Sequence, residues 1–156
     1  MKSDYINPFI KATENTFMEM MNVKVENSNP YVYRGAEDLY DVSAIIGLAG
    51  EARGLVVLSF SRESCLKFSE AFTGIKSDDI DEIVCDAIGE IVNIIAGNSK
   101  EGLLQFRIYI SLPKVVFGKL DMRLPRNLPT ITVPYESGLG PFNLTVGLKE
   151  EEQTDR

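Results

Sequence analysis

The sequence predicts an α/β protein built from two similar units, each a long amphipathic helix followed by irregular chain and a β-hairpin. Apolar residues recur at spacings of three and four over residues 5–21 and again over 79–97, which is the pattern of a helix with one buried face. Runs rich in β-branched residues then predict hairpins at 41–60 and 130–148, each around a glycine-containing loop. The order of helix and hairpin occurs twice, which indicates a duplicated unit.

Length and composition favour one globular domain and exclude several classes of function. The chain has 156 residues, with 16 basic and 23 acidic side chains and a formal net charge of -7. We predict one domain over 1–150 and a disordered acidic tail at 151–156. Basic residues scattered among more numerous carboxylates argue against nucleic-acid binding. The absence of histidine excludes histidine general bases and most zinc sites.

The first half of the chain predicts a helix, a loop and a hairpin. The helix over 5–21 tolerates Pro8 because this residue falls in the first turn. Residues 23–38 are polar and contain proline and glycine, so we expect a loop with one short edge strand at 31–34.

The second half begins after a further helix over 61–74, which Ser61 is expected to cap. The cluster Ser-Asp-Asp at 77–79 predicts the start of the next long helix, and Gly97-Asn98 predicts its end. Short strands are expected at 106–111 and 115–117, before the second hairpin.

The helix over 79–97 has an unusual polar face. Asp86, Glu90, Asn93 and Gly97 recur at spacings of four, three and four and so form one stripe. The opposite face is the expected core face, whose residues lie within about 60° of one direction: Ile80, Val84, Ala87, Ile91, Ile94 and Ile95.

Gly89 lies beside this stripe in the helix interior, where glycine costs about 1 kcal/mol relative to alanine. Locally unfavourable residues of this kind often mark functional positions. Gly89 would allow another macromolecule to approach Glu90 and Asn93 closely. The alternative is a solvated stripe and a glycine that admits a packed neighbouring helix.

The spacing Asp86-x-x-x-Glu90-x-x-Asn93-x-x-x-Gly97 resembles the signature helix of the CheC/CheX/FliY family of chemotaxis phosphatases. The likeness extends to the N-terminal helix and to the first hairpin, and therefore spans nearly the whole chain. The segments that carry it are DAIGEIVNIIAGNSK at 86–100, NPFIKATENTFMEMM at 7–21 and DVSAIIGLAGEARGLVVLSFS at 41–61.

The first helix lacks a second copy of the motif. Phe17 stands three residues after Glu14, where the motif would have asparagine, and this departure is similar to the CheX branch with its single site per chain. The resemblance implies an α/β fold in which the long helices pack on a mostly antiparallel sheet. It also implies homodimers that form through sheet edges.

The resemblance further implies hydrolysis of the aspartyl phosphate of a phosphorylated CheY-type response regulator. Asn93 would position the attacking water, and Glu90 would dock to a lysine of the partner. Asp86, Gly89 and Gly97 are the expected partner-binding residues. We expect no metal or cofactor in this chain, because the Mg²⁺ ion belongs to the response regulator in this interpretation.

Two alternatives of other classes stay open. The same fold could bind a response regulator without turnover, or it could be a dimeric scaffold whose polar stripe is incidental.

The remaining sequence features predict an ordinary intracellular protein. Cys65 and Cys85 have no metal-site spacing, so we expect buried free thiols. The N-terminus is too polar for a signal peptide, and no apolar run approaches 18 residues. We therefore expect a cytoplasmic location without membrane contact.

Overall fold

The structure, a computed structural model, describes residues 1–152. In this part of the chain three helices span Ser3–Met21 (α1), Arg62–Thr73 (α2) and Glu82–Ser99 (α3). Eight strands form one sheet. They are β1 (Val25–Asn27), β2 (Tyr31–Val32), β3 (Val42–Gly50), β4 (Ala52–Phe60), β5 (Ile108–Ile110), β6 (Lys114–Phe117), β7 (Thr130–Ser137) and β8 (Phe142–Glu150).

The sheet is antiparallel throughout its described strands and has the order β1-β7-β8-β4-β3-β5. Strand β2 also pairs with β7, and β6 also pairs with β3. The central ladder joins β4 to β8, from Ala52 opposite Glu150 to Phe60 opposite Phe142. The last described strand therefore lies in the middle of the sheet.

The two halves of the chain exchange their short strands. After α1, the strands β1 and β2 pair with β7 of the second half. After α3, the strands β5 and β6 pair with β3 of the first half. Each half thus covers the sheet edge of the other, and the predicted duplication of a helix and hairpin unit is confirmed.

The helices cover one face of the sheet, and the main core lies between these two layers. Side chains alternate across a strand, so Val56, Leu58 and Phe60 of β4 all enter this core. Phe17 of α1 stacks on Phe142 of β8 with ring centroids 4.7 Å apart. Aromatic packing of this kind fixes α1 on the central strands.

Irregular segments at 33–41 and 118–129 cover part of the other face of the sheet. The Asn143 amide donates to the carbonyl oxygen of Asp38 over 2.7 Å, and the Tyr40 N–H donates to Ser59 Oγ over 2.6 Å. These bonds satisfy polar atoms that would otherwise be buried without partners.

The carboxylate of Asp38 fastens the first of these segments. It accepts hydrogen bonds from the Arg34 guanidinium at 2.9 Å, the Tyr31 hydroxyl at 3.0 Å and the Arg34 N–H at 2.6 Å. Burial alone would raise the pKa of Asp38, but these bonds more than offset it and hold the pKa below its ordinary value.

The predicted helix over 61–74 and both hairpins are confirmed. Ser61 accepts from the Ser64 N–H over 3.2 Å, and Gly74 ends α2 in the left-handed conformation. The loop predicted over 23–38 contains two short edge strands instead of one.

The predicted start of the long helix at 77–79 is wrong. Helix α3 begins at Glu82, because Asp81 is the residue that accepts the Val84 N–H, over 3.0 Å. Asp79 is instead engaged by Arg62. The predicted stop at Gly97-Asn98 is also slightly early, since α3 continues to Ser99.

The predicted tail at 151–156 is described only in its first two residues, and residues 153–156 lie outside the described residues. Glu151 donates its N–H to the Glu51 carbonyl oxygen over 2.8 Å and pairs with Arg53 at 3.1 Å. Among residues 1–152, no helix has the length and apolar character needed to cross a membrane.

Candidate active site on helix α3

Helix α3 packs on the sheet through the face that its periodicity predicts. Val84, Ala87, Ile91 and Ile95 are buried, as expected. The other two predicted core residues differ, since Ile80 precedes the helix and Ile94 is only half-buried. Additional buried residues, Ile88 and Val92, widen the apolar face.

The polar stripe is on the open side of α3. Asp86 and Glu90 are exposed, and Asn93 is half-buried one turn beyond Glu90. Residues three apart on a helix are surface neighbours with Cβ atoms about 5–6 Å apart. The carboxylate of Glu90 and the amide of Asn93 can therefore act on one ligand group.

These polar side chains are not used to hold the fold together. Within residues 1–152, the side chains of Asp86, Glu90 and Asn93 form no hydrogen bond or ion pair. Their donors and acceptors are free for a water molecule or a partner. The structure thus brings together Glu90 and Asn93 without giving either a structural role.

Gly97 lies on the same open side of the helix. A Cβ atom placed there would meet no heavy atom within 4 Å among the described residues beyond its chain neighbours and the backbone of α3. This position can therefore be approached closely by another molecule.

Gly89 lies on a buried side of α3. The structure therefore does not favour the close approach of a partner that the sequence predicts at this residue. Gly89 is buried, and a Cβ atom there would lie 3.5 Å from Cγ of Pro113 and 4.0 Å from Val115. These are ordinary van der Waals separations, so the residue faces the chain between β5 and β6. The alternative of a glycine that admits a packed neighbour fits, although the neighbour is the edge chain of the sheet at Pro113 and Val115 and not a helix.

The sequence does not predict the contact between Gly89 and the short break that separates β5 from β6 along the edge of β3. Ser111, Leu112 and Pro113 connect β5 to β6 along the edge of β3, and Pro113 lies against Gly89 of α3. Nothing local in the sequence identifies this contact, because Pro113 and Gly89 come together only through the sheet.

The first helix offers no equivalent amide at the position where the motif would place one. Phe17 is fully buried in the aromatic core. The residue three positions after Glu14 is therefore a core residue.

The cysteines play no part in this face of α3. Burial, with a smaller effect from Cys85, raises the pKa of the Cys65 thiol to about 12. Cys85 is half-buried instead of buried, and burial followed by nearby carboxylates raises its pKa. Both groups are held as neutral thiols at neutral pH.

A family model described as chemotaxis phosphatase CheX matches residues 42–136, which is more than half of the chain. The chain belongs to this family. CheX proteins are phosphatases, so the chain is a hydrolase, and both the resemblance inferred from the α3 motif and the predicted fold class are confirmed.

Individual relatives agree with this assignment. The CheY-P phosphatase CheX of Thermotoga maritima is 28% identical over 127 residues, which cover 80% of this chain and 81% of the relative. A CheC-like superfamily protein from Shewanella sp. PV-4 is similar in structure with a TM-score of 0.87 and 27% identity, over 96% of this chain and 99% of that one.

A second similar structure is a complex. The CheX chain in the CheX–CheY–BeF3–Mg²⁺ complex from Borrelia burgdorferi has a TM-score of 0.82 and 25% identity to this chain. The match covers 96% of this chain and 100% of that chain.

Proposed function

We propose that this protein hydrolyses the aspartyl phosphate of a phosphorylated CheY-type response regulator in chemotaxis signalling. The observation that carries the proposal is the pair Glu90 and Asn93, adjacent on the open side of α3 and free of partners within residues 1–152. Two similar proteins support the choice of substrate: the relative named CheY-P phosphatase and the chain bound to CheY.

Asn93 would position the water that attacks phosphorus. An acyl phosphate is already activated, so the main requirement is a water molecule aligned with the bond that breaks. The amide can accept from this water and donate to it without competing as a nucleophile. The water oxygen bonds to phosphorus, the bond from phosphorus to the aspartyl oxygen breaks, and the proton leaves with the phosphate.

Glu90 would hold the two proteins in register. Its exposed carboxylate would pair with a lysine near the phosphorylated aspartate of the partner. Asp86, one turn earlier, would extend the acidic edge, and the open surface at Gly97 would allow the partner backbone to come close.

The metal ion in this proposal belongs to the response regulator. Mg²⁺ bound there would neutralise the phosphoryl charge, and this chain would supply only the water-positioning amide and the docking carboxylate. A response regulator is a cytoplasmic partner, so the proposal also assigns this protein to the cytoplasm.

We also propose a homodimer formed through a sheet edge. Strands β5 and β6 are short, and Tyr109 and Phe117 on them are exposed. An unpaired edge of this kind invites pairing with a second copy.

The test is the decay of the phosphorylated response regulator from the same organism. Wild-type protein is expected to accelerate the decay. The Asn93→Ala variant should accelerate it at least about 100-fold less than wild type does, because the water is no longer positioned. Asn98→Ala is the matched control, since it removes another amide of α3 outside the polar stripe.

The outcomes separate the proposal from its alternatives. Binding of the response regulator without faster decay of its phosphoryl group would favour the alternative of a docking module. An absence of binding would favour the alternative of a dimeric scaffold. Full activity in a folded Asn93→Ala variant would remove this amide from the mechanism.

A further inference from the structure

The first turn of helix α3 exposes an isoleucine on the side of the helix that carries Glu90. Ile83 is 43% exposed, although water disfavours exposed apolar surface. Exposed helix positions are ordinarily filled by good helix formers such as alanine, glutamate or lysine, and a β-branched residue is less favourable there. Neither solvation nor helix propensity therefore favours isoleucine at this position.

Helical geometry places Ile83 in line with the polar stripe of α3. Seven residues make nearly two full turns, so Ile83 lies within about 20° of Glu90 around the helix axis. Asp86 lies between them, three residues after Ile83 and four residues before Glu90, at the spacings of surface neighbours. All three side chains are exposed. The open side of α3 therefore carries an apolar residue in the same row as its two carboxylates.

A partner whose phosphoryl group meets Asn93 also covers Ile83. A specific interface of standard size buries about 800 Å² on each protein, which corresponds to a disc of roughly 16 Å radius. Along the helix axis, Ile83 is about 10 Å from Glu90 and about 15 Å from Asn93. A disc centred on the pair Glu90 and Asn93 therefore reaches Ile83. Because the phosphoryl group belongs to the response regulator, the response regulator is the occupant that this geometry favours.

The surroundings of Ile83 indicate what the partner presents to it. Glu82 precedes Ile83 and Asp86 follows it by one turn, and both are exposed. Within residues 1–152 their carboxylates form no ion pair. An apolar contact surrounded by polar groups that exclude water is typical of an interface hot spot. The complementary surface is an apolar patch flanked by lysine or arginine side chains.

We propose that Ile83 is an apolar docking contact for the phosphorylated response regulator. This inference rests on the proposed function, and it assigns the partner an apolar patch roughly 10 Å from the group that meets Glu90. Ile83 lies nearly three helical turns before Asn93 and so does not touch the reacting atoms. Its loss should therefore lower the affinity for the partner and leave the chemical step unchanged.

The first test is steady-state hydrolysis of the phosphorylated response regulator by Ile83→Ser. We expect KM to rise about 10-fold, which corresponds to about 1.4 kcal/mol, with kcat unchanged. Serine and isoleucine have similar helix propensities, so the variant should keep α3. Ile83→Met should restore KM to within about threefold of the wild-type value, because it conserves apolar volume.

Val32→Ser is the matched control for Ile83→Ser. Val32 is also β-branched and apolar, and it is 68% exposed. It lies on β2, which pairs with β7, whereas α3 packs on strands β3 to β6. The KM and kcat of Val32→Ser should match those of wild type. An unchanged KM in Ile83→Ser, or an equal rise in Val32→Ser, would overturn the inference.

The second test identifies what covers position 83. A photo-crosslinking amino acid in place of Ile83 should link this protein to the response regulator loaded with beryllofluoride and Mg²⁺. The same amino acid in place of Val32 should give no such link. A link from position 83 to a second copy of this chain, without one to the response regulator, would overturn the inference. Failure of the proposed function is distinct, because wild-type protein would then neither hydrolyse nor bind the phosphorylated partner.

Discussion

Glu90 and Asn93 are neighbours on one helix but differ in their surroundings. Glu90 is exposed, whereas Asn93 is half-buried one turn beyond Gly89. A half-buried amide has fewer rotamers and suits the positioning of water. An exposed carboxylate retains the reach to meet a lysine on another protein.

The proposed role of Glu90 can be tested with an isosteric change. Glu90→Gln keeps the size of the side chain and removes its charge, so we expect the affinity for the phosphorylated response regulator to fall about 10-fold or more. The loss should shrink at high salt, where the ion pair is screened. Binding measured at low and high salt checks this expectation.

The exposed Glu70 of α2 provides the control for Glu90. Glu70→Gln changes the net charge equally and should bind as wild type does. Equal weakening in both variants would mean that overall charge, and not this docking contact, controls affinity.

For single residues, the sequence predicts which side chains of α3 are exposed better than it predicts which residues they contact. The wheel of α3 correctly separated Glu90 and Asn93 from Ile91 and Ile95, because helical periodicity is a local property. It could not assign Gly89, whose neighbour Pro113 is distant in the chain.

At the scale of single elements, α3 is a helix with two interior glycines that have different neighbours. Gly89 is buried against Pro113 at an ordinary contact distance, and Gly97 faces open space in the described part of the chain. Both cost the helix stability relative to alanine. Only Gly97 is placed where the lack of a side chain would allow a partner to come close to the helix backbone.

The two glycines therefore form a matched pair of variants. Gly89→Ala and Gly97→Ala should each raise the free energy of unfolding, by up to about 1 kcal/mol, because alanine has less conformational freedom to lose. Only Gly97→Ala is expected to weaken binding of the phosphorylated response regulator. Urea unfolding and binding measurements on both variants check this.

A loss of affinity confined to Gly89→Ala would contradict this assignment. It would return the role of close approach to Gly89, as the sequence alone suggested.

Element boundaries were predicted where the local signal was unambiguous. Ser61 and Gly74 define α2 because one caps its start and the other adopts the left-handed conformation at its end. Before α3, several aspartates compete for the cap, and only the fold decides that Asp81 is used while Asp79 meets Arg62. Short strands such as β1 depend on pairing with β7 and leave little local signal.

For the whole molecule, the exchange of short strands is the feature that joins the two halves. Duplication was visible in the order of helices and hairpins, but the pairing of β1 with β7 and of β5 with β3 was not. Pairing between distant segments depends on the assembled sheet and not on local residue preference.

The irregular chain also joins the halves, through Asp38. The carbonyl oxygen of Asp38 accepts from Asn143 on β8, and its buried carboxylate organises Arg34 and Tyr31. Asp38→Asn should lower the free energy of unfolding at neutral pH by roughly 1–3 kcal/mol, because charged hydrogen bonds are lost in a buried position.

The pH dependence follows from the depressed pKa of Asp38. A carboxyl group with a lower pKa in the folded state contributes its stability above the unfolded pKa of about 4, and loses it as pH falls through the folded value. The difference between wild type and Asp38→Asn in urea unfolding should therefore be full at pH 6 and shrink below about pH 4.

Asp78→Asn, at an exposed aspartate, is the control and should differ little from wild type at any of these pH values. A difference between wild type and Asp38→Asn that stays constant down to pH 2 would show that the carboxylate charge is not the source of the stability.

The position of β8 in the middle of the sheet has a consequence for synthesis on the ribosome. Strand β4 cannot pair with β8 until β8 has been synthesised. The two strands are roughly 80 to 100 residues apart in the chain, and translating that length takes about 4 to 20 seconds. Until then the nascent chain presents the open backbone edge of β4 and much of its apolar face. Protection of that edge by chaperones, more than the speed of final folding, should therefore govern how much of this protein survives to reach its native state.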